Sequence, residues 1–195
     1  TPVRPVPPVD CDPLDVTAEF AQLSSLPGGS TVMRAARPRR DLELTPDGAR
    51  HFDLTWNVND WVPAPEFPAQ SAAVFGSEAT VYRVPEVNIG SDSRLFIRGG
   101  DVVIVTDGDF RMNNNSRLII DPDSSLTVVA GGRTVLSNSF RTDPMTTLND
   151  NGVPSLSIYS AYSSASGGVA GVEVSGSVSF GATVYAPHTS VHLAA

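Results

Sequence analysis

Six consecutive blocks of eight residues, running from Ser93 to Phe140, constrain this chain more than any other feature: SRLFIRGG, DVVIVTDG, DFRMNNNS, RLIIDPDS, SLTVVAGG and RTVLSNSF. In the second to sixth blocks the second and fourth positions hold Val102 and Ile104, Phe110 and Met112, Leu118 and Ile120, Leu126 and Val128, and Thr134 and Leu136. Side chains two apart on a strand share a face, so these pairs predict one inward column. The first block slips by one position, with Leu95 and Ile97 apolar. The corners Gly99-Gly100, Asp107-Gly108, Asn113-Asn114-Asn115, Asp121-Pro122-Asp123 and Gly131-Gly132 predict the positive-φ or Asx conformations of sharp turns.

Equal spacing of strand and corner suits a chain that coils with each strand stacked on the one a full turn earlier. It also suits an antiparallel meander. The coil is preferred because the period changes further on without loss of phase. From Val172 the inward candidates are Val172, Val174, Val178, Phe180, Val184, Val191 and Leu193, in steps close to six. The fold class expected is therefore all-β, a parallel β-helix (β-solenoid) with one short N-terminal capping helix. Its expected core comprises Val102, Ile104, Phe110, Met112, Leu118, Ile120, Leu126, Val128, Leu136, Val178, Phe180 and Val184.

The chain divides into a Pro-rich arm (1–12), a short helix or cap (13–27), an irregular and hairpin segment (28–85) and the solenoid (86–195). Asp12 is read as the helix cap, with Pro13 at the first helical position, Asp15 in the first turn and Gly28-Gly29 closing the helix. A helix just before a solenoid predicts an end cap, since open ends need cover. Leu42 and Leu44 before the turn Thr45-Pro46-Asp47-Gly48, and Phe52, Leu54 and Trp56 after it, predict a hairpin or a pair of solenoid edges. Residues 141–154 read as an excursion loop and Leu156 to Tyr159 as a strand.

All 13 basic residues are arginine, and 21 acids bring the net charge to −8. A protein-wide field of that sign repels phosphate backbones and argues against nucleic acid as partner. The basic run Arg34, Arg37, Arg39 and Arg40 reads as a solvated loop, or as a local contact with a neighbouring subunit or an envelope polymer. Cys11 is the only cysteine. It is either an inert thiol or one half of an interchain disulfide, and Cys11, Arg37, Arg39 and Arg40 are the interchain candidates. No stretch approaches the ~20 apolar residues of a membrane span. No secretory signal is visible, which fits either a processed secreted form or a cytosolic protein.

GGDVVIVTDGDFRMNNNSRLIIDPDSSLTVVAGG, PSLSIYSA and VEVSGSVSFGATVYAPHTSVHLAA, together with DCDPLDV at 10–16, resemble the C-terminal β-helical domain of bacterial PilX-type pilus-assembly and related envelope proteins. That domain is similar in style to the polymer-forming bactofilins. The most specific piece is Gly181-Ala182-Thr183-Val184-Tyr185-Ala186-Pro187. The resemblance implies a bacterial cell-surface or extracellular structural role and carries no catalytic residues. A pilin-like apolar N-terminal segment is missing from the pattern.

Sites of chemistry are sparse. His188 and His192 stand four apart in strand text, about 13 Å, too far for one zinc ion, and His51 has no evident partner. Asp107 with Asp109, and Asp121 with Asp123, read as turn residues ahead of calcium ligands. The same acids, with Asp101, Arg111, Arg117 and Arg133, are what a polysaccharide-cleaving β-helix would use. Tyr159, Tyr162 and Tyr185 read as packing ahead of a sugar platform. The expectation is a non-enzymatic structural protein that assembles with itself into a filament or surface appendage, with no cofactor and no metal. An adhesin or polysaccharide-binding module is the alternative, and a polysaccharide-cleaving enzyme ranks third.

Overall fold

Alternation of apolar and polar side chains along a strand leaves one face dry, and three sheets contribute such faces to one buried apolar cluster. A computed structural model describes residues 14–35, 40–53, 60–143, 145, 148–163 and 169–194. The protein is all-β with a single helix, α1 (Val16–Ser24). Its strands are β1 (Met33–Ala35), the antiparallel hairpin β2 (Arg40–Thr45) and β3 (Gly48–Asp53), β4 (Val62–Pro63), and the antiparallel hairpin β5 (Ala69–Val74) and β6 (Ser77–Val84). There follow β7 (Val87–Ile89), β8 (Arg94–Ile97), β9 (Asp101–Thr106), β10 (Phe110–Met112), β11 (Arg117–Ile120), β12 (Ser125–Ala130), β13 (Thr134–Ser137) and β14 (Arg141–Asp143). The last are β15 (Leu156–Ser160), β16 (Val172–Ser175), β17 (Thr183–Tyr185) and β18 (Val191–Ala194).

Successive strands from β7 onward join the three sheets in rotation. Sheet A runs β1-β7-β10-β13-β16-β18, sheet B runs β14-β11-β8-β2-β3-β4, and sheet C runs β17-β15-β12-β9-β6-β5. Every pairing from β7 onward is parallel. Val102 faces Leu126, and Phe110 faces Thr134, so partners lie 24 residues apart, or three eight-residue blocks. The step lengthens where the segments 144–154 and 161–171 are inserted. It shortens to 19 between Val172 and Val191, three steps of about six.

The inward columns carry the core. Val102, Ile104, Phe110, Met112, Leu118, Ile120, Leu126, Val128 and Leu136 are buried in one cluster that also holds Leu42, Leu44, Tyr82, Leu95, Ile97 and Leu156. Each such side chain contributes about 1.5–3 kcal/mol relative to leaving it in water. Val178, Phe180 and Val184 differ from expectation. They are only partly buried and pack against the cluster from its last turn, where the short corners bring fewer neighbours over them.

Outward positions of sheet C form a second core. Val81, Val103, Val105 and Val129 pack with Leu23 of α1, and Phe20, Leu26, Phe75 and Tyr159 surround them. The continuous run Val102-Val103-Ile104-Val105 is thus buried on both faces, as a covered parallel strand requires. The helix therefore lies on a flank of sheet C, a correction to the expected end cap. Its N-cap is Asp15, whose Oδ1 accepts from the Ala18 amide at 2.9 Å. The Asp12 and Pro13 assignments, like Cys11, Arg37, Arg39, Leu54 and Trp56, fall outside the described residues.

The corners use two devices. Between sheets A and B, Ser91-Asp92, Asn114-Asn115 and Asn138-Ser139 all take positive φ, from 49° to 69°. Asn and Asp tolerate this conformation, and the Asn115 amide donates to the Asn138 carbonyl one turn on at 2.8 Å. Gly99 and Gly100 are positive (77° and 141°). Gly131 and Gly132 are not: a Cβ on Gly132 would sit 2.5 Å from the backbone of Gly108, so that corner needs room and not a left-handed turn.

Tyr82 is fully buried, and its hydroxyl donates to the Thr45 carbonyl. Burial, with Asp47 nearby, pushes the phenol up from 10.0 to about 12. The folded state then holds a proton that the unfolded chain releases, so stability is fully present below pH 10 and falls as pH rises towards 12. The expected slope is about 1.4 kcal/mol per pH unit. Urea titrations across that range should show it, and Tyr82→Phe should flatten it.

Candidate functional site

Strands stacked in parallel satisfy one another's backbone except at the two ends of the stack, which here are chemically different. At the N-terminal end the direction reverses: β3 and β4 extend sheet B, and β5 extends sheet C, all in antiparallel pairing. At the opposite end β18 and β17 are the last strands of sheets A and C. Segment 178–181 continues sheet B, with the Thr142 amide donating to the Ser179 carbonyl at 3.0 Å. Val191 and Leu193 are 43% and 68% exposed. Register places them on the inward face, opposite the buried Val172 and Val174 as expected, and they are exposed because β18 has no strand beyond it among the described residues. A groove of about 220 Å³, lined by Val174, Gly176, Val178, Phe180, Leu193 and Ala194, opens at this end.

The outward face of sheet B is built differently. Strand alternation sends Arg94 and Phe96 of β8, and Arg98 just after it, outward, because Leu95 and Ile97 point in. Arg94 and Arg98 lie over the Phe96 ring, at 5.3 and 4.9 Å from its centroid. Trp61 meets Phe96 edge-on at 5.6 Å, and Phe52 meets Trp61 at 5.8 Å. Beneath them are two buried carboxylates. Asp41 accepts from the Arg94 amide at 2.8 Å and from Arg94 Nε at 2.9 Å, while Glu43 pairs with Arg98 at 3.0 Å and Arg50 at 2.8 Å.

Register places Arg117 between Arg94 and Arg141 on this face, one arginine per rung. A cleft of about 290 Å³ beside the column is lined by Asp92, Arg94, Asn115 and Arg117. Of the interchain candidates, only Arg40 lies among the described residues. It is half-buried at the start of β2, its amide donating to Ser93 Oγ at 3.4 Å.

The corner acids are engaged locally. Asp107 pairs with Arg83 at 2.7 Å; Asp109 pairs with Arg111 and accepts from the Arg133 amide at 2.7 Å; Asp121 lies 3.6 Å from Arg98. Asp101 accepts from Ser125 Oγ at 2.6 Å. Asp109 and Asp121 occupy different corners, between β9 and β10 and between β11 and β12, so the fold does not assemble them into one site. Asp123 accepts from Ser124 Oγ at 3.2 Å. His188 and His192 are exposed, and His51 lies in β3. Among the described residues no group of three or more His, Cys, Asp or Glu side chains is placed to hold a metal ion. Tyr159 stacks between Phe75, at 4.3 Å, and Tyr185, at 6.2 Å, and burial raises its phenol. No helix among the described residues is long and apolar enough to cross a membrane.

Sheets, corners and surfaces together define an all-β protein with one flanking helix, an apolar end and an arginine-rich flank. Residues 69–195 match the family model described as a domain of unknown function, DUF7305, and the chain belongs to that family. No curated protein and no solved structure matches it.

Proposed function

We propose that the three sheets wind as one parallel β-helix and that the chain is a bacterial cell-surface or extracellular structural protein, a subunit that stacks end-on with copies of itself into a filament or surface appendage. The observation that carries this is the contrast between the two ends. Among the described residues, the C-terminal end combines the outer edges of β17 and β18 with the exposed Val191 and Leu193 and the half-buried Val178, Phe180 and Val184. Apolar surface and free backbone groups at one end are what a further rung would cover. A head-to-tail contact does not close and grows into a fibre, whereas a tail-to-tail contact stops at a dimer. The rotation of strands through sheets A, B and C supports a continuous coil, and the in-register parallel pairs support a stiff rod. The pilus-related part of the proposal rests on the sequence resemblance alone.

Sedimentation velocity over a concentration series, with electron microscopy of the same samples, tests this. Species that grow with concentration are expected, together with a Val191→Asp/Leu193→Asp variant that stays monomeric at an unchanged melting temperature, because both side chains are exposed in the single chain. Monomers at every concentration would sink self-assembly.

A further inference from the structure

Like charges placed directly opposite on neighbouring strands repel and lower stability. The column Arg94, Arg117 and Arg141 does this in a protein that carries 21 acids to draw on. Most other described arginines are neutralised: Arg50, Arg83, Arg98, Arg111 and Arg133 each have a carboxylate within pairing distance and Arg94 is held by Asp41, Arg34 and Arg40 being the exceptions. Arg117 and Arg141 are exposed, and among the described residues no carboxylate pairs with either. Strand spacing sets adjacent rungs about 4.8 Å apart, so the free guanidiniums form a regular line along the stacking direction.

Beside that line lies Ile119, half-buried on the same outward face; its register partner Phe96 is buried beneath Trp61, Arg94 and Arg98. Guanidiniums in a row suit anions that repeat along a chain. We propose that this flank of sheet B binds a linear acidic polysaccharide, carboxylate-bearing, laid along the stacking direction with its acid groups on Arg117 and Arg141. Two acids border the path. Asp92 lines the cleft and accepts a hydrogen bond from Asn115 Nδ2, and Asp143 follows Arg141 on the same face. They set this flank apart from a uniformly basic nucleic-acid groove, in keeping with the net charge of −8. This site is independent of end-on assembly, which involves the other surface.

Titration calorimetry with polygalacturonate, using dextran as the neutral control and oligo(dT) as the phosphodiester one, tests it. Polygalacturonate should bind, more weakly as salt is raised. Arg117→Gln and Arg141→Gln should each weaken binding by about tenfold, since each removes a charge-assisted hydrogen bond. Asp92→Asn should tighten it. Because the column repels itself, Arg117→Gln should melt at the same temperature as the parent or higher, a readout that a merely structural arginine would move downward. Should that variant fail to fold, Arg117→Lys combined with Arg141→Gln replaces it, and the retained charge should preserve part of the binding. No binding of polygalacturonate, binding unchanged in the double glutamine variant, or oligo(dT) bound as tightly would each overturn the proposal.

Discussion

Ile104→Asp is expected to abolish cooperative folding. Ile104 is fully buried in β9, with Tyr82 beside it on β6 and Val128 on β12, both inside the same apolar cluster. A carboxylate there would have to enter the interior either charged and unpaired or protonated, at a cost of several kcal/mol. Total stabilities of domains lie at about 5–15 kcal/mol, and the loss of packing adds to the charge term. Circular dichroism melting should show no transition for Ile104→Asp. Ile104→Val should lose only about 1 kcal/mol. Thr127→Asp, one position off the inward column of β12 and half-buried, should retain a transition. If Ile104→Asp melted like the parent, the dry interior between the three sheets would be wrong.

The second large effect is expected at Gly132. A Cβ there would lie 2.5 Å from the Gly108 carbonyl carbon, and 2.6 Å from both the Gly108 oxygen and Asp109 Oδ1. Two of these atoms are backbone of the neighbouring rung, so the corner cannot yield by rotating a side chain. The same corner holds two ladder contacts, Gly132 donating to the Gly108 carbonyl at 3.0 Å and Arg133 donating to Asp109 at 2.7 Å. Gly132→Ala should therefore cost about 3 kcal/mol, an overpacking penalty at the upper end of the usual range. For a chain of this size that corresponds to a melting point lower by roughly 10 °C. Gly108→Ala is a matched control with a milder expectation, since its nearest neighbour is the Pro85 oxygen at 3.0 Å. Equal losses at the two glycines would contradict this account of the corner.

The columns were legible because period two is a local property. Val102 and Ile104 must share a face of any strand that contains them, and a buried strand must be apolar there. The hairpin turn at Pro46-Asp47 was legible for a similar reason, its residues being ordinary turn formers between alternating segments. The hairpin of β5 and β6 was missed. Its turn is Phe75-Gly76, both at positive φ, and a bulky aromatic residue such as Phe75 gives no local signal for that conformation. The flanking position of α1 was missed because it depends on Val103, Val105 and Val129 forming an outward apolar patch, and outward becomes visible only once the inward column is placed.

The arginine column shows the limit most directly. Arg94, Arg117 and Arg141 recur at separations of 23 and 24 residues, yet nothing local makes them neighbours. They meet because β8, β11 and β14, each three strands further along the chain, are parallel neighbours in sheet B. The chain's own sequence determined which side chains face inward, where the corners fall and that its period shortens near the end, since those follow from side-chain size and backbone preference within a few residues. Tertiary structure alone decided the number of sheets, the flank taken by the helix and the lining-up of distant arginines, because long-range pairing is settled by how whole strands bury one another's faces.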